Sequence, residues 1–200
     1  MNEESGISML HRQTLSDVVQ SLKPNLGIEI GMANGVSTKA ILSAIGNGKL
    51  ISIDPYQCTQ WKSEGLKAVA DLAPSHRLID LPDYLALPQL LASGTQIDFA
   101  YVDGWHTFDY VLLDFFYLDR MLRVGGVVGF NDCGMAATNK VLKFVTRHRK
   151  YVEMPILPPT YAARNVVVHI ARRVLNRQTQ DRYFRKVQSW EPDWNFFKRF

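Results

Sequence analysis

The sequence predicts a doubly wound α/β domain whose sheet is mostly parallel. Short apolar runs of strand length alternate five times with segments of helical spacing. The strand runs are continuously apolar rather than alternating, which indicates a sheet covered by helices on both faces. The predicted strands are 26–30, 49–55, 76–80, 96–104 and 125–132, with two late candidates at 151–156 and 165–171.

The predicted helices follow from the spacing of their apolar residues and from the residues that end them. In the first helix, Leu15, Val19 and Leu22 fall on one face, and Pro24 follows the last turn. The second helix runs into a Gly-Asn-Gly turn, which ends it. The predicted helices are 14–22, 36–45, 58–72, 83–91, 109–122 and 136–148.

Composition limits the class of protein. The chain of 200 residues is 46% apolar and 21% charged, which is typical of one globular domain with its own core. No stretch approaches 18 uncharged apolar residues, so no membrane-spanning helix is expected, and the first ten residues lack the apolar run of a signal peptide. Two cysteines are too few for a CxxC-type zinc site, and they favour a reducing, cytoplasmic location.

The charge is unevenly distributed. Residues 171–200 hold eight of the 23 Lys and Arg and three of the 19 Asp and Glu, which leaves 15 basic and 16 acidic residues for 1–170. A neutral body argues against a nucleic-acid partner, because a groove that follows phosphates needs clustered cations. The sequence therefore predicts a domain at 1–170 and a basic, aromatic extension at 171–200.

The extension is expected to bury its aromatic side chains, either on the body or on a second subunit of a homodimer. Docking on an anionic membrane surface is one alternative. Closing over an acidic substrate is another.

Polar residues follow every strand of the predicted parallel sheet. Because the carboxyl ends of parallel strands share one edge, these residues are expected to lie together where such folds bind ligands. Carboxylates crowded at one edge usually hold hydroxyls, amines or a cation. The residues are Glu29, Gly31, Asp54, Asp80, Asp83, Asp103, Asn131 and Asp132.

The first strand leads into a glycine loop that begins at Glu29 and ends at Ser37. Gly31 and Gly35 allow a tight turn in which the backbone can approach a ligand, and the next helix presents free N–H groups. The spacing is neither the GxGxxG of dinucleotide-binding folds nor the GxxxxGK[ST] of a phosphate loop. A tight turn without a ligand is the alternative interpretation of this loop.

Four motifs in order carry a family resemblance: ExGxxxGxS from Glu29, then ISIDP, YVDGWH and LRVGGVVGFND. Together they resemble the class I S-adenosylmethionine (SAM)-dependent methyltransferases over about residues 10–150. The closest resemblance is to the small O-methyltransferase-like group, of methyltransferase 24 type with catechol O-methyltransferase-like motifs. It implies a Rossmann-like methyltransferase sheet, mostly parallel with a late antiparallel strand, and SAM as the cofactor. Ala33 departs from the pattern, since many relatives carry glycine there.

The resemblance assigns the methionine end of the cofactor to the glycine loop. Asn34, Gly35 and the Ser37 hydroxyl, at the start of the following helix, suit the SAM carboxylate. The carbonyl groups of the Gly31 loop suit the ammonium. Glu29 is expected to brace the loop.

The rest of the cofactor is assigned to the ends of the next strands. Asp54 is expected to accept hydrogen bonds from the ribose hydroxyls. The adenine edge is expected at Asp83 or, on a different alignment, at Asp80. Trp105 is expected to pack near the cofactor.

Asp103 and Asn131 are one strand–helix–strand unit apart, so they are expected to end adjacent strands. In catechol-type enzymes an acid in the first position and an acid–amide pair in the second bind a divalent cation, which implies a Mg²⁺ site at Asp103, Asn131 and Asp132. These are oxygen ligands, as Mg²⁺ requires. The order of the pair is reversed here. His106 stands where those enzymes have a lysine base, so His106 and Asp103 are the predicted catalytic residues.

These observations predict a SAM-dependent methyltransferase that acts on a hydroxyl of a small molecule or a glycan, with Mg²⁺ as a candidate second cofactor. A catalytically silent cofactor-binding or interaction protein is the alternative, favoured by Ala33 and by the reversed Asn131-Asp132 pair. A nucleotide-dependent oxidoreductase is less favoured, because the glycine spacing is wrong. No pattern in the sequence indicates the identity of the acceptor.

Overall fold

The structure is a computed structural model that describes residues 9–155 and 181–200. The helices are α1 (Met9–Leu22), α2 (Val36–Ala44), α3 (Glu64–Ala68), α4 (Asp83–Ala92), α5 (Phe108–Met121) and α6 (Ala136–His148), with a 3₁₀ segment at Ala70–Ser75. The strands are β1 (Leu26–Ile30), β2 (Lys49–Ile53), β3 (His76–Ile79), β4 (Ile97–Val102), β5 (Leu122–Phe130), β6 (Tyr151–Glu153) and β7 (Arg182–Lys186).

The strands of the described residues form one sheet in the order β3-β2-β1-β4-β5-β7-β6. The pairs from β3 to β5 are parallel, whereas β7 is antiparallel to both β5 and β6. The predicted mostly parallel sheet with a late antiparallel strand is therefore confirmed. The chain moves outward from β1 in one direction and from β4 in the other, so the topological switch point lies between these two strands.

The sheet has an apolar core on each face, as its continuously apolar strands predict. One core includes residues of α4, α5 and α6, among them Phe115 against Phe130 of β5. The other includes residues of α1 and α2, among them Leu15 with Phe99 and Tyr101 of β4. All six residues of β4 are buried. Burial on both faces fixes the register of β1 and β4, and with it the positions of the side chains at their carboxyl ends.

The sequence assigned Arg182–Lys186 to the extension, and the structure places these residues inside the sheet as β7. Tyr183 lies in one core and Phe184 in the other. The Lys186 ammonium is buried and donates to the carbonyl groups of Asp119 and Leu122 at 2.5 and 3.0 Å. The strand joins β5 to β6, so this part of the chain belongs to the domain.

The end of the chain packs against α6. The backbone N–H of Lys198 donates to His148 Nε2 at 3.0 Å, and the Phe196 and Phe200 rings lie 5.6 and 5.0 Å from the imidazole ring. Trp194 remains 96% exposed. Within 9–155 and 181–200, no helix is long and apolar enough to cross a membrane. The predicted strand at 165–171 lies outside the described residues.

The helix predicted at 58–72 is wrong in extent. The structure has turns up to Ser63, the five-residue helix α3, and then the 3₁₀ segment. Lys62 and Ser63 adopt left-handed backbone, with φ of 51° and 61°, which interrupts a continuous helix. The interruption directs the start of α3 against the glycine loop.

Candidate active site

A cavity of about 400 Å³ lies in the crevice at the switch point, at the carboxyl ends of β1, β2 and β4. This is the position at which open α/β sheets bind ligands. The cavity is large enough for a nucleoside-sized molecule. Of the residues that the sequence singled out, those that line it are Gly31, Asp54, Asp83, Asp103, Trp105 and His106.

The glycine loop closes one end of the cavity. Gly31 has a φ of 83°, and a Cβ there would collide with the backbone carbonyl of Asp103, so glycine is required where β1 meets β4. Ala33 is also left-handed, with a φ of 45°. Its N–H donates to Asp54 Oδ2 and its carbonyl accepts from Gln57 Nε2, both at 2.8 Å. These two hydrogen bonds hold Ala33 in the left-handed conformation although it is not glycine.

Glu29 braces the loop from beneath. It is fully buried and accepts hydrogen bonds from the hydroxyls of Ser37, Thr38 and Ser52 at 2.5, 2.7 and 2.7 Å. Burial raises its pKa from 4.5 to about 7, against the opposing effect of the three hydroxyl donors. The carboxyl group therefore ties β1 to α2 and β2. The bracing role predicted for Glu29 matches these contacts.

The residues that were predicted to contact the carboxylate of SAM lie elsewhere. The Ser37 hydroxyl is buried and donates a hydrogen bond to Glu29, so it does not face the cavity. Gly35 is covered by Gly65, since a Cβ on Gly35 would lie 2.8 Å from the Gly65 carbonyl oxygen. Asn34 is exposed. The residues predicted to contact the SAM carboxylate are thus outside the cavity lining, whereas Gly31, predicted to face the ammonium, is part of it.

Asp54 connects the loop to the cavity. Its Oδ2 accepts from the backbone N–H groups of Met32 and Ala33 at 3.1 and 2.8 Å and from Gln57 Nε2 at 3.0 Å. Its Oδ1 accepts only the N–H of Tyr56, at 2.8 Å, among the hydrogen bonds of the described residues. A carboxylate oxygen can accept at least two hydrogen bonds, so Oδ1 retains capacity for a ligand hydroxyl.

Asp83, not Asp80, lies at the far end of the cavity. Asp83 is only 6% exposed and lines the cavity, whereas Asp80 is exposed and does not. Asp83 is the first residue of α4, and its Oδ1 accepts the backbone N–H of Tyr84 at 2.7 Å. Of the two residues that the sequence left open for the adenine edge, Asp83 lies in the cavity and Asp80 does not.

Aromatic rings form much of the cavity wall beside Asp83. The Trp105 ring lies 6.3 Å from the Tyr110 ring, which in turn lies 6.3 Å from the Tyr84 ring. Trp105 is 57% exposed, so one of its faces is available to a ligand. Flat aromatic walls suit a purine base, because stacking buries both faces of the base. The lining aromatic residues are Tyr56, Trp61, Tyr84, Trp105 and Tyr110.

Asp103 and Asn131 lie side by side, as their spacing predicts. Asn131 Nδ2 donates to Asp103 Oδ1 at 2.6 Å, and the Asn131 Oδ1 accepts the backbone N–H of Asp132 at 2.6 Å. Burial raises the pKa of Asp103 well above its ordinary value, the Asn131 hydrogen bond lowers it, and the charge of Glu29 raises it further. Burial therefore favours the protonated, neutral form of this carboxyl group.

His106 lies between two carboxyl groups without a hydrogen bond to either. Its Nε2 is 3.8 Å from Asp103 Oδ1 and 3.5 Å from Asp132 Oδ2, which exceeds hydrogen-bonding distance. Among the described residues Nε2 is a buried atom with no hydrogen-bond partner. The His106 side chain lines the cavity, and an imidazole nitrogen without a hydrogen-bond partner can accept a proton from a ligand that comes within reach of it.

The predicted cation site is not assembled. Within the described ranges, no group of three or more His, Cys, Asp or Glu side chains is arranged to hold a metal ion. Asn131 was the predicted third ligand, and its oxygen is held by the N–H of Asp132 while its amide nitrogen faces Asp103. The residues present therefore do not fit Mg²⁺ in this arrangement, and the Mg²⁺ prediction is not confirmed.

Three buried polar residues of the site were missed by sequence reasoning. Gln57 holds the glycine loop to Asp54. Asp181 accepts the hydroxyls of Tyr101 and Tyr183 at 2.8 and 3.2 Å, directly before β7. Asp114 is fully buried on α5. Only Asp114 had a sequence signal, since the helical period places it on the apolar face of α5.

Comparison with known proteins identifies the family of the protein that has this fold and site. The family model described as a methyltransferase domain matches residues 28–133 of the 200-residue chain. The chain belongs to this methyltransferase family. The match contains the glycine loop, Asp54, Asp83 and Asp103, so the methyltransferase predicted from the motif order is confirmed. A comparison with curated proteins gave no match.

Solved structures share the fold of this methyltransferase. The O-methyltransferase TomG from Streptomyces achromogenes, involved in tomaymycin synthesis and solved in complex with SAM, is 16% identical, with 77% of this chain and 75% of TomG aligned and a TM-score of 0.67. An O-methyltransferase from Bacillus cereus, in complex with S-adenosylhomocysteine (SAH), is 13% identical, with 76% and 75% aligned and a TM-score of 0.68. At these identities the likeness shows the fold alone.

Proposed function

We propose that this methyltransferase uses SAM to methylate a hydroxyl oxygen of a small molecule or a glycan. The observation that carries the proposal is that His106, whose Nε2 has no hydrogen-bond partner among the described residues, lines a cavity that also contains Asp54 and Asp83. The fold shared with the two O-methyltransferases solved with SAM or SAH supports it.

The cavity residues divide the binding of the cofactor among them. The free acceptor capacity of Asp54 Oδ1 suits a ribose hydroxyl, and Asp83 with the Trp105 and Tyr110 rings suits the adenine. Backbone carbonyls of the Gly31 loop suit the ammonium group. When bound, SAM supplies a methyl group on a positively charged sulfur, which an oxygen nucleophile can attack.

His106 would act as the general base toward the acceptor. An aliphatic or phenolic hydroxyl becomes a competent nucleophile when its proton is taken by a group within hydrogen-bond reach. The Asp132 carboxylate, whose Oδ2 lies 3.5 Å from His106 Nε2, would stabilise the imidazolium that results. The main contribution of the protein would then be orientation of acceptor and cofactor.

No step of the proposal involves a cation. In the structure the predicted ligands hydrogen-bond one another: the Asn131 amide nitrogen donates to Asp103, and the Asn131 oxygen accepts the N–H of Asp132. Among the described residues, no group of three or more His, Cys, Asp or Glu side chains is arranged to hold a metal ion.

The test is calorimetric titration of the full chain with SAM, SAH and NAD, followed by a screen of hydroxyl-bearing acceptors with labelled SAM. Binding of SAM and SAH with labelled product is the expected result. Binding of NAD without SAM would contradict the proposal. Binding of SAM with no product from any acceptor would favour the catalytically silent alternative.

A further inference from the structure

Residues 187–200, which follow β7, lie at the edge of the sheet opposite the cofactor cavity. β5 ends beside the carboxyl end of β4, and α6 runs back from there, so His148 at the end of α6 lies near the amino ends of the parallel strands. β6 pairs with β7 and begins at the same edge with Tyr151. The backbone N–H of Lys198 donates to His148 there. None of residues 187–200 lines the cofactor cavity, so this segment does not close over it.

Two aromatic side chains of the segment project into solvent. Trp194 is 96% exposed and Phe197 is 72% exposed. The neighbouring Trp190 and Phe196 anchor the segment, since their rings lie 4.9 Å apart and the Phe196 ring lies 5.6 Å from that of His148. Large apolar side chains presented in this way mark a surface that binds a partner.

Basic side chains surround the two exposed rings. Lys140, Lys143 and Arg147 are exposed at helical spacing on one face of α6. Arg147 Nη1 donates to the Arg199 carbonyl at 2.7 Å, and the Lys140 ammonium donates to the Phe200 carbonyl, so the segment lies along this face. We call this face of α6, with residues 150 and 194–199, the basic aromatic face.

The charge of the basic aromatic face is of one sign. It carries six exposed Lys and Arg side chains: three on α6, and Lys150, Lys198 and Arg199. The acids of residues 187–200 are Asp193 and Glu191, and Glu191 is paired with Arg120 at 3.1 Å. The face therefore suits an anionic partner and disfavours a second copy of this chain, which would bring like charges together.

A cavity of about 320 Å³ opens at the basic aromatic face. Its basic lining residues are Arg147, Arg149, Lys150 and Lys198, and no Asp or Glu among the described residues lines it. The Lys150 ammonium lies 5.5 Å from the Trp190 ring centroid. The Lys198 ammonium lies 5.6 Å from that of Phe196. Neither lysine has an ion pair within the described ranges, so both ammonium groups can bind a ligand anion.

We propose that the basic aromatic face docks this protein on an anionic phospholipid membrane surface. Lipid phosphate groups bind at the cavity beside Lys150 and Lys198, and Trp194 and Phe197 enter the headgroup layer. Indole rings favour the membrane–water interface, and Lys and Arg are attracted to the negative potential of anionic lipids. Docking through this edge leaves the cofactor cavity, at the opposite edge, open to water.

The experiment is co-sedimentation of the full chain with vesicles of phosphatidylcholine alone and of phosphatidylcholine with about 30% phosphatidylserine. The wild type is expected to bind the anionic vesicles at least about tenfold more tightly. This binding should weaken as the salt concentration rises from about 0.05 to about 0.5 M. Equal binding to the two kinds of vesicle, or binding to neither, would overturn the proposal.

Variants separate the apolar and the charged contributions. Trp194→Ala/Phe197→Ala and Lys150→Gln/Lys198→Gln should each lower the affinity for anionic vesicles about tenfold. Lys39→Gln/Lys67→Gln, which removes two exposed lysines of α2 and α3, is the matched control and should bind as the wild type does. Wild-type affinity in either test variant would contradict the proposal.

Tryptophan fluorescence tests the docking geometry without a large change in the surface. Binding to anionic vesicles should shift the emission of the wild type to the blue. Trp194→Phe keeps an aromatic ring, so it should still bind and should lose most of this shift. A blue shift that persists in Trp194→Phe would overturn the proposal.

The same protein is tested against the other candidate partners by calorimetry with inorganic phosphate and with a short single-stranded oligonucleotide, and by ultracentrifugation. Binding of the oligonucleotide or of phosphate without vesicle binding, or a dimer that Trp194→Ala/Phe197→Ala dissociates, would overturn the proposal. None of these measurements uses SAM, so their failure leaves the proposed function untouched.

Discussion

Replacing Glu29 by glutamine should remove a large part of the pH dependence of folding. Glu29 is fully buried, and its pKa is raised by burial from 4.5 to about 7. Between these values the folded protein keeps a proton that the unfolded chain has released. The free energy of unfolding therefore falls as the pH rises through this window, because the folded state binds more protons there.

The size of the change in the free energy of unfolding follows from the difference between the two pKa values of Glu29. A difference of about 2.5 pH units, at about 1.4 kcal/mol each, corresponds to about 3–4 kcal/mol between the acidic and alkaline sides. Glutamine keeps a carbonyl oxygen that can accept a hydrogen bond from a hydroxyl, and its side chain does not titrate. Alanine would be a poorer probe, since it would leave the hydroxyls of Ser37, Thr38 and Ser52 without their acceptor.

Urea unfolding at about pH 5 and about pH 8 measures the effect. The wild type should lose stability between the two, and Glu29→Gln should lose about 2–3 kcal/mol less, since pH 5 already lies above 4.5. Glu64→Gln is the matched control, since Glu64 is exposed and paired only with Lys67 on the surface. Equal pH slopes in the wild type and Glu29→Gln would refute the reasoning, whatever the absolute stability of the variant.

Three more predictions concern the site. His106→Gln should lower kcat about 100-fold, while calorimetry gives an unchanged affinity for SAM; retained turnover would return His106 to a structural role. Gly65→Ala should destabilise the fold by about 1–3 kcal/mol in urea unfolding, because its Cβ would lie 2.5 Å from the Ala33 carbonyl oxygen. Methyl transfer should be unaffected by EDTA, since Asn131 is engaged by Asp132; a loss restored by Mg²⁺ would contradict this.

The fold was predictable because its signals are local. Apolar runs of four to six residues between glycine, proline and asparagine turns identify buried strands, and β1 coincides with the predicted strand while α6 coincides with the predicted helix. The segment at 58–72 was not predictable, because left-handed backbone at Lys62 and Ser63 is decided by packing of Gly65 on the loop. Strand β7 was missed because its partner β5 is distant in sequence.

The candidate site was also predictable only in part. The order of motifs predicted that Asp54, Asp83 and Asp103 would meet at one edge, and the cavity contains all three. Which atoms face the ligand was not predictable. The Ser37 hydroxyl turns to Glu29, and the Asn131 oxygen turns to Asp132, because nearby buried donors and acceptors must be satisfied before a ligand is bound.

By itself, the sequence determined the α/β class, the sheet edge that carries the polar residues, and the family, because period, turn chemistry and motif order are properties of short segments. Only the tertiary structure decided that Asp83 rather than Asp80 lies in the cavity, that Asp114 is fully buried, and that His106 Nε2 has no hydrogen-bond partner among the described residues. Those facts depend on how α4, α5 and the strand ends pack together. The sequence pattern of one segment does not predict its contacts with a distant segment.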